Sequence, residues 1–332
     1  LQARGGLADS ATSASIPFAL PDLGVAWAAL PAAEGGLLPL GEAVSFGWTV
    51  TNAGLGVANA PWTERVVLVN GAGEFNVYEE VQNEALESGS SIERTASATV
   101  PWAAMLGGPM DIRVEIDREG VLLQAPDTLA NEATAGRWDL SSDGWKIAVH
   151  NGTVSGTETW AADSVHIVSG TVTAAAGARL TIAPGAIVKF LDGASLTVAT
   201  GATCVANGVV FTHIADDTVG GDTMDDGDAT TPVAGAYTIA GTIQTDDATE
   251  ERWSPPVQTS GNLSGAQRWR GYNVYRVTGD LTLNSGCTLT IEPGAIVKAY
   301  RRVTLTVSRG VAVDSIDDYV GKAVEEVLPR LQ

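Results

Sequence analysis

The residues best placed by type and spacing to bind a ligand are six aspartates within residues 216–228. Ca²⁺ prefers about six to eight hard oxygen ligands, often beside a glycine that permits a tight turn. Asp222 and the Asp226-Gly227 pair fit part of a calcium-loop register, but Met224 occupies one ligand position and Val233 stands where the closing Glu belongs. An intact EF-hand loop is therefore excluded. Two interpretations remain, a solvated acidic turn or a looser calcium site formed by Asp222, Asp225, Asp226 and Asp228.

The other reactive side chains form no recognisable catalytic set. The three histidines lie in different sequence contexts, and no nucleophile elbow, zinc-binding HExxH or dinucleotide-binding GxGxxG motif accompanies them. The two cysteines are too few for a disulfide framework and lack the spacing of a zinc site. We interpret them as buried free thiols, with a single disulfide as the alternative. The sequence thus predicts no catalytic or cofactor-binding residue among His150, His166, His213, Cys204 and Cys287.

The charge of the chain limits its partners. Its 332 residues carry 19 Lys and Arg against 39 Asp and Glu, a formal net charge of −20. Nucleic-acid binding needs a basic surface that displaces counterions, so it is excluded as a function class. The same charge opposes adsorption to anionic lipid, and no apolar run approaches the roughly 20 residues that span a bilayer, which argues against membrane insertion. Because the chain opens on Leu1 without a methionine, we expect a mature or excised segment.

An internal repeat gives the strongest signal of organisation. Residues 152–201 align without a gap on residues 261–310, at a shift of 109 residues and with 22 of 50 positions identical. The match is densest where residues 180–189 meet residues 289–298. Such self-similarity indicates a structural unit that occurs twice.

Each copy of the repeat alternates apolar residues with small polar ones. Leu180-Thr-Ile182 and Leu196-Thr-Val198 are examples, and turn formers such as Pro184-Gly185 separate these groups. A period of two predicts short strands with one buried face, and the Pro-Gly pairs predict tight turns. A hairpin meander fits this spacing, and so does a coil of three short strands stacked in parallel on the next coil. The repetition favours the coil.

The segment from Leu180 to Thr212 also carries a family resemblance. Its phrases LTIAPG, VKF, SLTV and VVFT resemble the right-handed parallel β-helix repeats of large secreted bacterial proteins. The resemblance implies a β-helix over residues 141–314, which is a scaffold rather than an activity. Trp160 and Trp269 occupy equivalent positions in the two copies, and we interpret them as packing residues at a coil edge rather than sugar-stacking platforms.

Two segments depart from the repeat. Residues 216–256, rich in Asp, Thr and Pro, predict an excursion from a single stack, although residues 236–240 could add a strand. After residue 310 the apolar positions adopt the spacing of one helical face, which predicts an amphipathic helix over residues 315–332. Such a helix would cap the open end of the stack or, alternatively, pair with another subunit. Its apolar positions are Val320, Ala323, Val324, Val327, Leu328 and Leu331.

Residues 20–140 form a different module, which follows an N-terminal extension of residues 1–19. About seven alternating runs, separated by Gly, Asn and Pro turns, predict an antiparallel immunoglobulin-like β-sandwich. Pro21-Asp-Leu23, the Trp48 to Gly56 segment and Ile112 to Asp117 resemble the CARDB family, a module of bacterial and archaeal surface proteins linked to adhesion. Trp48 is interpreted as the central core tryptophan of the sandwich. The fold class expected for the whole chain is therefore all-β.

These expectations lead to one functional hypothesis and two alternatives. The hypothesis is a non-catalytic segment of an extracellular or cell-surface protein, acting in adhesion, as a stalk or in assembly. Its partners would be a surface glycan, a protein receptor or other copies of the chain. One alternative is a secreted β-helix polysaccharide lyase or hydrolase. Arg268 and Arg270 permit a local site for such an enzyme, because the equivalent positions of the first copy are not arginine. The other is a self-assembling filament or surface-layer subunit.

Overall fold

The computed structural model describes residues 18–31, 36–125, 129–227, 229–300, 302–309 and 312–315, and within them the regular secondary structure is almost entirely β-strand, as the sequence predicts. A short 3₁₀ helix, Trp102–Gly107, lies in the N-terminal unit. The strands of that unit are β1 (Leu23–Ala29), β2 (Leu37–Pro39), β3 (Ala43–Asn52), β4 (Trp62–Asn70), β5 (Gly73–Gln82), β6 (Ser91–Thr99), β7 (Met110–Ile116) and β8 (Glu132–Ser142).

The N-terminal unit is a two-sheet antiparallel sandwich. One sheet has the order β1-β3-β6, and the other contains β5-β4-β7-β8, with β2 added to β8 in parallel. Alternation sets the inner face, since Val44 and Phe46 of β3 are buried while Ser45 between them is exposed, and Trp48 and Val50 continue the buried face. Trp48 is fully buried, which confirms its interpretation as a core residue.

The rest of the described chain is a parallel β-helix. Its strands are β9 (Trp145–Val154), β10 (Thr157–Trp160), β11 (Ser164–Ala174), β12 (Arg179–Ile182), β13 (Ile187–Phe190), β14 (Ser195–Val198), β15 (Thr203–Ala206), β16 (Val210–His213), β17 (Thr238–Ala240), β18 (Ile243–Gln244), β19 (Glu250–Glu251), β20 (Val257–Leu263), β21 (Ala266–Trp269), β22 (Val274–Leu283), β23 (Thr288–Ile291), β24 (Ile296–Ala299), β25 (Leu305–Val307) and β26 (Ala312–Ser315).

These strands wind into about seven coils. Parallel pairing links neighbouring coils within two stacks, β9–β19 and β20–β26, and no strand pairing joins the two stacks within the described residues. The register is regular, because Val165 pairs with Ile187 and Ile187 pairs with Val210. The two copies of the repeat fold alike. At the shift of 109 residues, β10, β12 and β13 fall on β21, β23 and β24, residue for residue. β17 is the strand anticipated within residues 236–240.

A two-residue turn joins the sandwich to the β-helix. Asp143 and Gly144, with φ angles of 48° and 78°, connect β8 to β9 as a hairpin in which Leu140 pairs with Ile147. Positive φ at both positions is what a type I′ turn requires, and Asp-Gly is one of the sequences that supplies it. Because β9 then pairs in parallel with β11, a single 12-stranded sheet runs from the sandwich into the coils.

Three apolar clusters stabilise the described structure. The first contains the sandwich core together with residues of the first four coils, the second fills the interior of those coils, and the third fills the last three coils. Cys204 lies in the second cluster and Cys287 in the third, each a buried free thiol. The helix anticipated at residues 315–332 lies outside the described residues apart from Ser315, which belongs to β26. None of the helices in the described ranges has the length and apolarity to span a bilayer.

Candidate cation site and charged cleft

The excursion between β16 and β17, residues 214–237, lies against the turn that joins the two units. The backbone N–H of Asp222 donates to Oδ2 of Asp143 over 2.8 Å, and the hydroxyl of Ser142 donates to the carbonyl of Asp222 over 3.0 Å. Nε1 of Trp102, in the 3₁₀ helix, donates to Oδ2 of Asp225 over 2.6 Å. The excursion therefore contacts both the hairpin turn and the sandwich.

Three carboxylates converge within this excursion. One oxygen from each of Asp217, Asp222 and Asp226 can be chosen so that all three lie within 4.8 Å of one another. Asp222 shapes the loop, since its Oδ1 accepts the N–H of Met224 over 3.1 Å and its Oδ2 accepts the N–H of Gly227 over 2.8 Å. Both carboxylate oxygens of Asp226 are buried, each exposing less than 1 Å², and neither accepts a hydrogen bond within the described structure.

The sequence-predicted calcium ligands divide into three groups. The structure brings Asp222 and Asp226 together, whereas Asp225 is hydrogen-bonded to Trp102 and Asp228 lies outside the described residues. The third member of the observed cluster, Asp217, is not among the ligands predicted from the sequence. It lies shortly after strand β16, which ends at His213, and the Asp216-Asp217 pair was the signal that could have found it. The calcium-loop pattern begins at Asp222 and therefore does not include Asp217.

One buried cation lies beside the cluster. Lys189, fully buried on β13, donates from Nζ to the carbonyl of Gly221 over 2.7 Å and to Oγ1 of Thr223 over 2.6 Å. Burial lowers the pKa of Lys189 to about 8, although the nearby aspartates, Asp217 above all, oppose that shift. Burial raises the pKa of Asp217, and the charge of Asp222 raises it further. Within the described ranges no ion pair of 4.0 Å or less joins Lys189 to these carboxylates.

A second feature is a charged cleft of about 670 Å³ alongside the fifth to seventh coils. The guanidinium of Arg252 lies 4.3 Å from the ring centre of Tyr272 and pairs with Glu250 over 2.7 Å. Arg268 pairs with Glu292. The cleft thus gathers the second-copy arginines, but its charges largely satisfy one another. Its charged lining includes Glu250, Glu251, Arg252, Arg268, Arg270 and Glu292.

Glu251 is the exception in this cleft. Its carboxylate forms no ion pair or side-chain hydrogen bond with the described residues. Burial raises its pKa, and the charge of Arg270 opposes that shift. Arg270 itself donates from Nη1 to the carbonyl of Thr249 over 2.6 Å. A carboxyl group with a raised pKa in a cleft is suited to general acid chemistry.

The histidines occupy packed positions rather than a shared site. His150 and His166 are joined by a hydrogen bond of 2.9 Å, and Trp160 stacks on His150 with ring centres 3.9 Å apart. His213 contacts Asp192 over 2.8 Å. Trp160 and Trp269 are both buried, so their interpretation as packing residues is confirmed.

Among solved structures, the chain matches proteins over little more than a third of its length, and the CARDB match lies in its N-terminal part. The CARDB domain of a Pyrococcus furiosus protein, crystallised in complex with di-metal ions, matches with 18% identity over 38% of this chain and 97% of that domain, at a TM-score of 0.28. The sandwich resembles a CARDB domain in fold. A β-glucosidase from Listeria innocua in complex with glucose matches with 16% identity over 36% of this chain and 16% of the enzyme, at a TM-score of 0.25. No protein-family model and no curated protein sequence matches the chain.

The strand order confirms the fold expected from the sequence, an immunoglobulin-like sandwich followed by a parallel β-helix. At these identities and TM-scores, the similarities carry no information about what the chain binds or does.

Proposed function

We propose that the chain is a non-catalytic structural module of an extracellular surface protein, which holds its sandwich and the first four coils of its β-helix in a fixed relative orientation. The continuous 12-stranded sheet through the Asp143-Gly144 turn carries this proposal. A flexible linker between domains leaves them free to move, whereas a two-residue hairpin inside a sheet constrains both strands by backbone hydrogen bonds. A stalk or spacer requires such stiffness.

Side-chain packing at the junction supports the same proposal. Ile147, Val165 and Ile167 belong to the β-helix, yet they share an apolar cluster with Leu38 and Leu140 of the sandwich. Each is at most 4% exposed. Burying one such side chain stabilises a fold by about 1.5–3 kcal/mol, so relative movement of the units would expose several residues at a substantial cost.

The extracellular location in this proposal rests on the sequence. The resemblance of residues 180–212 to repeats of secreted bacterial proteins supports it, and so does the excess of acidic residues, which opposes binding to nucleic acid and anionic lipid. A surface glycan, a protein receptor or further copies of the chain remain the proposed partners. Adhesion and filament assembly are the finer roles that such partners would add to a spacer.

The stiffness can be tested by ¹⁵N relaxation on the full chain. We expect amides of the sandwich and of the first four coils to give the same rotational correlation time. Inserting six Gly and Ser residues between Asp143 and Gly144 should separate the two values. The matched control is the same insertion between Glu119 and Gly120, an exposed turn within the sandwich, which should leave them equal. Different correlation times in the native protein would contradict the proposal.

The charged cleft favours a second candidate function, a glycan-active enzyme that uses Glu251 as its acid. The supporting observation is the half-buried carboxyl in the cleft, which forms no hydrogen bond or ion pair with the described residues and whose pKa burial raises. The test is a panel of neutral and acidic polysaccharides, with release of reducing ends and of unsaturated products measured for the native chain and for Glu251→Gln. Turnover that Glu251→Gln abolishes would establish the enzyme. Absence of turnover across the panel would reject it for those substrates.

A further inference from the structure

We propose that Asp217, Asp222 and Asp226 bind one divalent cation, with Ca²⁺ as the preferred ion, at the junction of the sandwich and the β-helix. The cation would fix the excursion of residues 214–237 onto the hairpin turn. The spacer role proposed above does not require this site, so the two proposals stand separately.

The first argument is the convergence of charge. Three carboxylate oxygens within 4.8 Å of one another repel when no cation lies between them. Two cationic side chains hydrogen-bond to the excursion in the described structure, and neither contacts these carboxylates. Nζ of Lys189 donates to Gly221 and Thr223, and Arg252 donates to Thr218. The cluster therefore lacks a direct counter-charge.

The carboxylate of Asp226 supports the site independently of the number of acidic residues. Both oxygens of Asp226 are buried and accept no hydrogen bond within the described ranges. Withdrawing a carboxylate from water without a hydrogen-bond donor or a cation is costly, and native structures avoid it. A cation in the space that Asp217, Asp222 and Asp226 share would supply the missing partner.

The loop leaves suitable ligand atoms free. An ionised carboxylate has about four acceptor sites. Asp222 uses part of this capacity on backbone N–H groups of the loop, while Asp217 and Asp226 use none on the described residues. An all-oxygen set of this kind selects hard cations, and Ca²⁺ accepts the irregular geometry that a loop provides more readily than Mg²⁺ does. Water and backbone carbonyls would complete the coordination.

The position of the site gives the cation a structural consequence. Asp222 is held to the turn through Asp143 and Ser142, and Asp225 is held to the sandwich through Trp102. A cation that bridges Asp217, next to β16, to Asp222 and Asp226 would link the fourth coil to these contacts. Binding should therefore protect the junction as well as the loop.

The test begins with calorimetric titration of Ca²⁺ into the metal-free full chain. We expect one ion per chain and a rise in the thermal unfolding midpoint, because a ligand that binds only the native state stabilises it. Asp226→Asn, which preserves shape and removes the charge, should weaken binding at least tenfold. Asp225→Asn is the matched control from the same loop, and its affinity should stay within threefold of the native value.

A second readout keeps the proposal testable if Asp226→Asn fails to fold. Hydrogen exchange of the native chain with and without Ca²⁺ should show protection confined to residues 214–237 and to the amides around Asp143. Asp217→Asn should abolish that protection. Absence of stoichiometric Ca²⁺ binding by the native chain, or equal binding by the native chain and Asp226→Asn, would overturn the proposal. Equal rotational correlation times without Ca²⁺ would leave the spacer proposal standing by itself.

Discussion

Replacing Ile167 by alanine tests whether the sandwich and the β-helix share an apolar core. Ile167 lies on β11 in the second coil, is fully buried, and belongs to the apolar cluster that contains the sandwich core. The substitution removes three carbon atoms, worth about 2.4 kcal/mol at about 0.8 kcal/mol each. The cavity that remains adds to this loss, which gives a total of about 3–4 kcal/mol. For a unit of this size the melting temperature should fall by roughly 6–16 °C.

The distribution of this loss matters more than its size. If the sandwich and the first four coils unfold together, Ile167→Ala should lower the unfolding free energy equally for amides of β4 and of β13. Hydrogen-exchange mass spectrometry under increasing urea reports the two separately. Leu289→Ala is the control, because Leu289 is also buried but lies in the third apolar cluster, in the last three coils, so it should leave the amides of β4 and β13 unchanged. A loss confined to the coils, with the sandwich unchanged, would refute the shared core.

Three further expectations follow from buried groups. Glu64→Ala should destabilise the sandwich by about 3–5 kcal/mol in urea unfolding, because the fully buried Glu64 carboxylate accepts hydrogen bonds from two indole N–H groups and lies 3.5 Å from a guanidinium. Burial lowers the pKa of His150 from 6.5 to about 3, so between these pH values the unfolded chain binds a proton that the native chain does not. Stability should therefore fall as the pH falls from 7 to 5, by about 2 kcal/mol, and His150→Gln should lack this contribution when the two pH profiles are subtracted. Leu289→Ala should lower hydrogen-exchange protection only in the last three coils. The equivalent Leu180→Ala should lower it in the first four coils and in the sandwich that shares their core, but not in the last three coils, because the two leucines lie in separate clusters. Identical patterns for both variants would contradict that separation.

The sequence predicted the local structure well because alternation and turn chemistry are local properties. Leu180-Thr-Ile182 became strand β12, and its equivalent at a shift of 109 residues became β23, with turns at Gly185 and Gly294 that have positive φ. Pairing between distant segments was harder to anticipate. The local sequence around Asp143 predicts a turn, but it does not predict that the strand after this turn will continue the sandwich sheet into the coils.

The candidate site shows the same boundary between local and long-range information. The aspartate-rich composition located the loop, but the loop conformation decides which carboxylates converge. Asp222 accepts backbone N–H groups and so turns the chain toward Asp217, while Asp225 is drawn away by Trp102, which is 123 residues distant in sequence. A ligand pattern read along the sequence contains no information about a contact between residues so far apart. The charged cleft could not be predicted either. The sequence showed only that Arg268 and Arg270 could contribute to a local site, because the shape of the cleft depends on how successive coils stack.

The most direct test of the central claim is the distance between the two units in solution. Spin labels at Thr95→Cys on β6 and Arg179→Cys on β12 would occupy exposed strand positions of the sandwich and the second coil, while the native cysteines, each 1% exposed, stay unlabelled. Pulsed electron paramagnetic resonance should give one narrow distance distribution for a rigid body joined by a continuous sheet. A broad or bimodal distribution would show that the turn at Asp143 acts as a hinge, and would contradict the account.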